Sequence, residues 1–323
     1  MSKRILIIDA LNLYYRSYIV DPSISSNGQP IGGLKGFLKS LQKLARETKP
    51  DEIVICWDGE GGSRRRKSQN KNYKEGRKPI RLNRSIRNLS EDEEKENKIW
   101  QQLRLVEYLN EMPIKQLMLP NVEADDIIAL TTQFAEFKGD QKVIVSSDKD
   151  FFQLCNESTV LLRPIQKVVM NQKNITEKFG IHPNNFALAR AICGDKSDNI
   201  SGIQGAGLAT IAKRFPFLSE EESHTVTDIL EHCENQEKQL LIHERILENK
   251  KKIIDNYKLM QLYSPLMSPQ GANEIRQKLS NTEKQFNKTK VIAMMFKDGI
   301  GEQNWLDLWT CFNKIVWESK APF

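Results

Sequence analysis

Short, uniformly apolar runs alternate with longer stretches whose apolar residues recur every three to four positions, and the alternation continues to about residue 175. Ile5-Leu6-Ile7-Ile8, Ile53-Val54-Ile55-Cys56 and Val143-Ile144-Val145 are too short for amphipathic helices and predict buried strands. Two further strands are expected near Gln116–Leu119 and Thr159–Leu162. Leu34, Phe37, Leu38, Leu41 and Leu44 fall at helical spacing and predict a helix over 34–48. Others are expected over about 94–111, from Asn12 to Tyr18, and briefly from Phe151 to Leu154. Strands and helices in this order argue for an α/β fold, a mostly parallel central sheet flanked by helices. Beyond about Ile175 the pattern is all-helical, with a break at Tyr263–Pro269. Trp305, Trp309 and Trp317, at i, i+4 and i+12, are expected to share one face, with core packing the favoured role.

The strands end in acid. Asp9 closes the first, Asp58 follows the second, and Ser146-Ser147-Asp148-Lys149-Asp150 follows Val145. Glu123-Ala124-Asp125-Asp126 opens an apolar helical stretch, where the helix dipole tolerates negative charge and where Asp also serves as a plain cap. The carboxyl ends of parallel strands share one edge, and ligands bind there. Asp9, Asp58, Glu123, Asp125, Asp126, Asp148 and Asp150 are therefore expected to meet. Two carboxylates 5 Å apart repel by roughly 3 kcal/mol at an effective dielectric of 20. Such a cluster needs protonation or divalent cations, and a donor set of oxygens alone favours Mg²⁺ or Mn²⁺ over zinc.

Net charge is +6, unevenly placed: 64–87 holds eleven Lys/Arg against Glu75, leaving −4 for the rest. The segment has few large apolar residues and is expected to be a mobile insertion over the site, partly helical when a ligand binds, in the manner of nucleic-acid contacts. Five scattered cysteines without a CxxC pair predict free thiols and a cytoplasmic setting. No run approaches the length of a membrane span, and the apolar run after Met1-Ser2-Lys3-Arg4 is too brief for a signal peptide. Gly202, Gly205 and Gly207 mark either a backbone surface for phosphate or a tight turn between packed helices.

Taken in order, these stretches resemble the 5′-nuclease (flap endonuclease) superfamily, especially its stand-alone phage-type and bacterial polymerase-associated members. Asp9-Ala-Leu-Asn-Leu-Tyr-Tyr-Arg16-Ser-Tyr18 is similar to the opening DGxxxxYRxY, and Asn27 to Phe37 to the GxPTGAxxGF loop and helix. Trp57-Asp58-Gly59, Glu123-Ala-Asp125-Asp126 and Ser147-Asp148-Lys-Asp150 with Gln153-Leu154 resemble the FDG, EADD and SxDxDxxQL motifs. Gly194-Asp195-Lys-Ser-Asp198-Asn-Ile with Gly202, Gly205 and Gly207 resembles GDxSDNIPGVxGIG. Departures are Ala10 for Gly, Ile31 for Thr, Ser201 for Pro, Ala206 for Ile, and Ala209 where a Lys is common.

The resemblance implies a PIN-like 5′-nuclease core over 1–174 with a helical arch at about 60–95. It further implies a helix-three-turn-helix region over 175–265, and it leaves a helical extension, 266–323, of open role. It implies two metals: Asp58, Glu123 and Asp125 with Asp9 for one, and Asp148 and Asp150 for the other, with Asp126, Asp195 and Asp198 in contact or one water away. Lys74 and Arg77 would act on the scissile phosphate, with Arg66 and Tyr73 also on the 5′ strand. The glycine turn would bind duplex backbone, around a monovalent cation such as K⁺ held by carbonyls of Ile192, Cys193, Ser201, Ile203 and Ala206. The implied activity is metal-dependent 5′-3′ exonuclease and flap cleavage, with RNase H-type action on RNA primers, by a monomer meeting replication proteins such as a single-strand binding protein or a clamp. A PIN-type ribonuclease explains the acidic strand ends but not the arch or the glycine turn. A non-catalytic DNA-binding protein is expected to lose ligand positions that are all acidic here. A dehalogenase-type phosphatase wants Asp-x-Asp at the first strand, and no GxxxxGK[ST] supports an NTPase.

Overall fold

The strongest apolar runs become the middle of one sheet. The computed structural model describes residues 2–281, 285–301 and 303–320, except for the side chains of 318–320. The last three residues of the expected extension lie outside the described residues. The chain runs β1 (Arg4–Asp9), α1 (Ala10–Val20), α2 (Gly32–Thr48), β2 (Glu52–Cys56), α3 (Arg64–Gln69), α4 (Glu91–Asn110), β3 (Lys115–Leu117) and α5 (Ala124–Thr132). It continues through β4 (Gln141–Val145), β5 (Thr159–Arg163), β6 (Val168–Met170), α6 (Gln172–Phe179) and α7 (Pro183–Cys193). A two-stranded hairpin, β7 (Gly194–Asp195) and β8 (Ile200–Ser201), precedes α8 (Leu208–Arg214), α9 (Val226–Glu234), α10 (Leu241–Glu248) and α11 (Lys250–Met260). Last come α12 (Pro269–Ser280), α13 (Lys288–Lys297) and α14 (Leu306–Lys320).

The sheet order is β3-β2-β1-β4-β5-β6, parallel except for β6 on β5. Alternation along the strands sends side chains to two separate cores. Ile5, Ile7, Val54 and Ile144 share a core with α5 and with α6 to α12. Leu6, Ile8, Ile55 and Val145 face α1, α2 and α14. The chain leaves β1 first toward β2 and later returns on the other side as β4, so strand order reverses at the β1–β4 junction, where parallel sheets take ligands.

Four expectations are corrected. An edge strand, β6, was not expected, and neither was the β7–β8 hairpin in the region read as all-helical. Both consist of two or three residues, too few to show a period. Trp305 and Trp309 are buried but Trp317 is 75% exposed, so the three do not share a face. The basic segment is docked: Tyr73 and Leu82 are buried, Lys74 N donates to Asp198 O (2.8 Å), and Asn199 Nδ2 donates to Asn72 O (2.9 Å). Counting large apolar residues undervalued it, because backbone hydrogen bonds to the hairpin hold it down. The five cysteines are free. Among the described residues, no helix is long and apolar enough to cross a membrane.

Of the extension, α12 packs into the first core, while α13 and α14 complete the second. Phe312 and Ile315 are fully buried there, Arg46 pairs with Asp307 (3.2 Å), and Arg104 with Asp298 (2.7 Å). Phe312→Ala is expected to cost about 3–5 kcal/mol in urea unfolding. A cost below about 1 kcal/mol would show an extension that merely rests on the surface.

Candidate active site

Each strand end delivers its acid to the reversal point. Asp9 accepts from Ser146 Oγ (2.9 Å) and from Asn12 N (3.2 Å), and the same Ser146 hydroxyl accepts from Asp148 N (3.1 Å). One hydroxyl thus ties the ends of β1 and β4 together. Asp58 reaches across to accept from Ala124 N (2.8 Å). The open question about the acidic helix start is settled there: α5 is capped by Asp58 from another strand, and Glu123, at the N-cap position, makes no side-chain cap bond.

Asp9, Asp58, Glu123, Asp125, Asp148 and Asp198 line one cavity of about 820 Å³ together with Arg64, Lys67, Lys74 and Arg77. Three expected ligands stand outside its lining. Asp126 is buried against Arg66, with Nη1 at 2.6 Å, and also accepts from Leu266 N (2.8 Å). Arg190 of α7 bridges the other two, Asp150 (3.0 Å) and Asp195.

Protonation and divalent cations are not the only relief the acids have, because the chain supplies cations of its own. Glu123 accepts from Ser63 Oγ (2.7 Å), Lys74 Nζ (2.6 Å), Arg66 Nη1 (2.8 Å) and Tyr73 OH (3.0 Å). Arg77 pairs with Asp198. Arg66 and Tyr73 are 4% and 2% exposed, so neither is free to take a nucleic-acid strand as expected. Arg190 was missed: an arginine in the last turn of an apolar helix carries no signal of its own, and only the tertiary fold brings it to Asp150.

Electrostatics divides the acids into two sets. Burial, then the neighbouring Asp58 and Asp148 charges, push Asp9 up to about 7, against the pull of Ser146. Burial and Asp148 push Asp150 up to about 7 in spite of Arg190. Asp125 is raised well above the ordinary carboxylate range by burial and Asp148, and Asp58 and Asp148 are raised chiefly by burial. Glu123 is held low although burial opposes it, because Lys74 and Arg66 outweigh the desolvation.

Among the described residues, no group of three or more His, Cys, Asp or Glu is gathered closely enough to hold a metal ion. Glu123, Asp150, Asp195 and Asp198 are drawn onto arginine and lysine instead. The donor chemistry nonetheless fits a hard divalent cation: the lining acids offer only oxygens, and among the described residues Asp9, Asp125 and Asp148 make no ion pair.

The glycine turn follows the hairpin. A Cβ on Gly202 would lie 1.9 Å from Cys193 O, so close backbone approach requires glycine there. Gly205 has a φ of 85°, while Gly207 faces open space. The expected cation-binding carbonyls are largely engaged from within. Ile192 O accepts from Ile203 N (2.8 Å), Ile203 O from Ala206 N (3.0 Å), and Ser201 O from Asn256 Nδ2 (3.0 Å).

The fold agrees with the comparisons. The chain belongs to the 5′-3′ exonuclease family: residues 4–180 match the family described as 5′-3′ exonuclease, N-terminal resolvase-like domain. A 5′-3′ exonuclease of Aquifex aeolicus is 28% identical over 300 residues, 87% of this chain and 92% of that protein. One from Buchnera aphidicola (subspecies Schizaphis graminum) is 34% identical over 212 residues, 65% and 68% of the two chains. Thermostable DNA polymerase I of Thermus filiformis is 32% identical over 209 residues, which is 64% of this chain but 23% of the polymerase. The T5 5′-exonuclease with bound zinc shares the fold with a TM-score of 0.67 at 18% identity, covering 86% of this chain and 98% of that one.

Asp125→Asn removes one raised acid from the cluster. An acid whose folded pKa is raised binds more protons folded than unfolded, so its contribution to stability falls as pH rises above its ordinary value. In EDTA at pH 8 the variant is expected to melt above the parent, by roughly 2–4 °C per kcal/mol of repulsion relieved. The gap should close toward pH 4 in a thermal melt. Equal melting temperatures at pH 8 would contradict the charge cluster.

Proposed function

We propose that this chain is a structure-specific 5′-3′ exonuclease and flap endonuclease, hydrolysing phosphodiesters near the 5′ ends of DNA flaps, nicks or RNA primers on DNA, for primer removal in replication. One observation carries the reading: acids suited to hard cations share a cavity with lysines and arginines suited to phosphate. Support comes from relatives named 5′-3′ exonuclease, and from a T5 flap endonuclease solved with DNA and metal ions, 17% identical with a TM-score of 0.63.

On this reading Asp58, Glu123 and Asp125, with Asp9, hold one Mg²⁺ or Mn²⁺, and Asp148 with Asp150 holds the other, Asp195 and Asp198 standing by. When bound, such ions polarise the scissile phosphate and lower the pKa of the attacking water. Lys74, released from Glu123, offers its ammonium to that phosphate. Arg77, Lys67 and Arg64 take the 5′ strand by its phosphates. Asp126 is assigned to Arg66 and is not a ligand. The exposed backbone at Gly205 and Gly207 lets duplex approach closely. No K⁺ is included, since three of the five carbonyls meant for it, those of Ile192, Ser201 and Ile203, already have donors.

Gels of 5′- and 3′-labelled flap, nick and RNA-primer substrates, with Mg²⁺ or EDTA, test the reading. Asp148→Asn is expected to lose more than about 100-fold in cleavage while keeping DNA affinity. Lys74→Ala should slow turnover by about 10²–10³-fold, whereas Lys278→Ala, on exposed α12, should leave it unchanged. Full activity in EDTA, or in Asp148→Asn, would overturn the assignment.

A further inference from the structure

A second cleft, of about 830 Å³, opens between the end of α3 and α11 and shares no lining residue with the acid-lined cavity. Its walls carry Lys71, Lys251, Lys252 and Lys258 against Glu248 and Asp255, and Leu259 is the one apolar side chain. An apolar metabolite has little to hold it there. Lys71, Lys251 and Lys258 are exposed, and none makes an ion pair among the described residues. Lys251 and Lys258 stand seven residues apart on α11, about 10 Å along the helix axis. That spacing suits successive charges of a polyanion better than one compact anion.

The cleft is also built into the glycine turn. Lys252 Nζ donates to Gly202 O (2.9 Å), Asn256 Nδ2 to Ser201 O (3.0 Å), and Arg245 Nη1 to Gln204 O (3.0 Å). The turn's own helix begins Leu208-Ala209-Thr210 with no cation, so the positive charge beside it comes from α10 and α11. On the opposite side, Arg66 forms the partition: its Nε donates to Leu259 O (3.0 Å) at the cleft wall, while its Nη1 holds Glu123 and Asp126.

We propose that this cleft binds a stretch of nucleic-acid sugar-phosphate backbone continuing from the Gly202–Gly207 turn, with α3 separating it from the strand that enters the acid-lined cavity. The ligand is the nucleic acid of the proposed function, and the inference rests on that reading for its identity. The test is fluorescence anisotropy with a labelled 5′-flap DNA in EDTA across a salt series, for the parent, for Lys251→Gln/Lys258→Gln, and for Lys173→Gln/Lys278→Gln. The last pair removes the same charge from exposed positions on α6 and α12. The cleft variant is expected to weaken binding roughly tenfold and to lower the log–log salt slope by about 1–2, with the control pair near the parent. Equal binding by parent and cleft variant, or an equal loss in both double variants, would overturn the cleft. Mg²⁺-dependent cleavage of the same flap by the parent is scored separately. Its failure alongside cleft-dependent binding would sink the nuclease reading and leave the cleft standing.

Discussion

Glu123 is where the molecule settles its largest electrostatic conflict. Several carboxylates are brought to one sheet edge, where burial first and neighbouring acids second raise Asp9, Asp125 and Asp150. The conflict is resolved by ion pairs, not by protonation alone: Arg66 and Lys74 converge on Glu123, Arg66 also serves Asp126, and Arg190 serves Asp150 and Asp195. Buried pairs of this kind add little net stability over an apolar substitute, yet removing one partner strands a charge. The arginines and lysine paired with these acids are thus structural counterions, and only under the proposed function do Lys74 and Arg77 also become phosphate contacts.

The fold supplies this arrangement with few parts. Parallel strands end on one side, the order reverses between β1 and β4, and Ser146 fastens the two ends at that junction. Asp58 links β2 to the first turn of α5. The acids on the sheet side thus stand on elements whose side chains fill two cores, with α13 and α14 closing one of them. The cations that share the cavity stand on α3 and on irregular chain after it.

Much of this was legible in the residues. Ile5–Ile8 and Val143–Val145 reveal strands because burial on both faces demands unbroken apolar runs, and acids placed just beyond such strands must meet. The counterions were harder to foresee. Lys74 reaches Glu123 from a segment docked by its own backbone N–H on Asp198 O and by the Asn199 side chain on Asn72 O, and Arg190 sits in a helix whose pattern speaks only of packing. Residues 168–170 show why edges escape: Val168 and Val169 are 40% and 52% exposed, and three residues cannot display a period. Trp317 was grouped with Trp305 and Trp309 by spacing, which assumes one continuous packed helix, whereas Trp305 precedes α14 and Trp317 lies on an exposed part of it.

The docked segment has one mechanical consequence. It is moored to Ser197, Asp198 and Asn199, the loop of the hairpin that leads straight into the glycine turn. The segment beside the acids and the glycine turn thus share one short anchor. If the turn takes duplex as proposed, a shift of that anchor would carry the segment, and Lys74 with it, relative to the carboxylates.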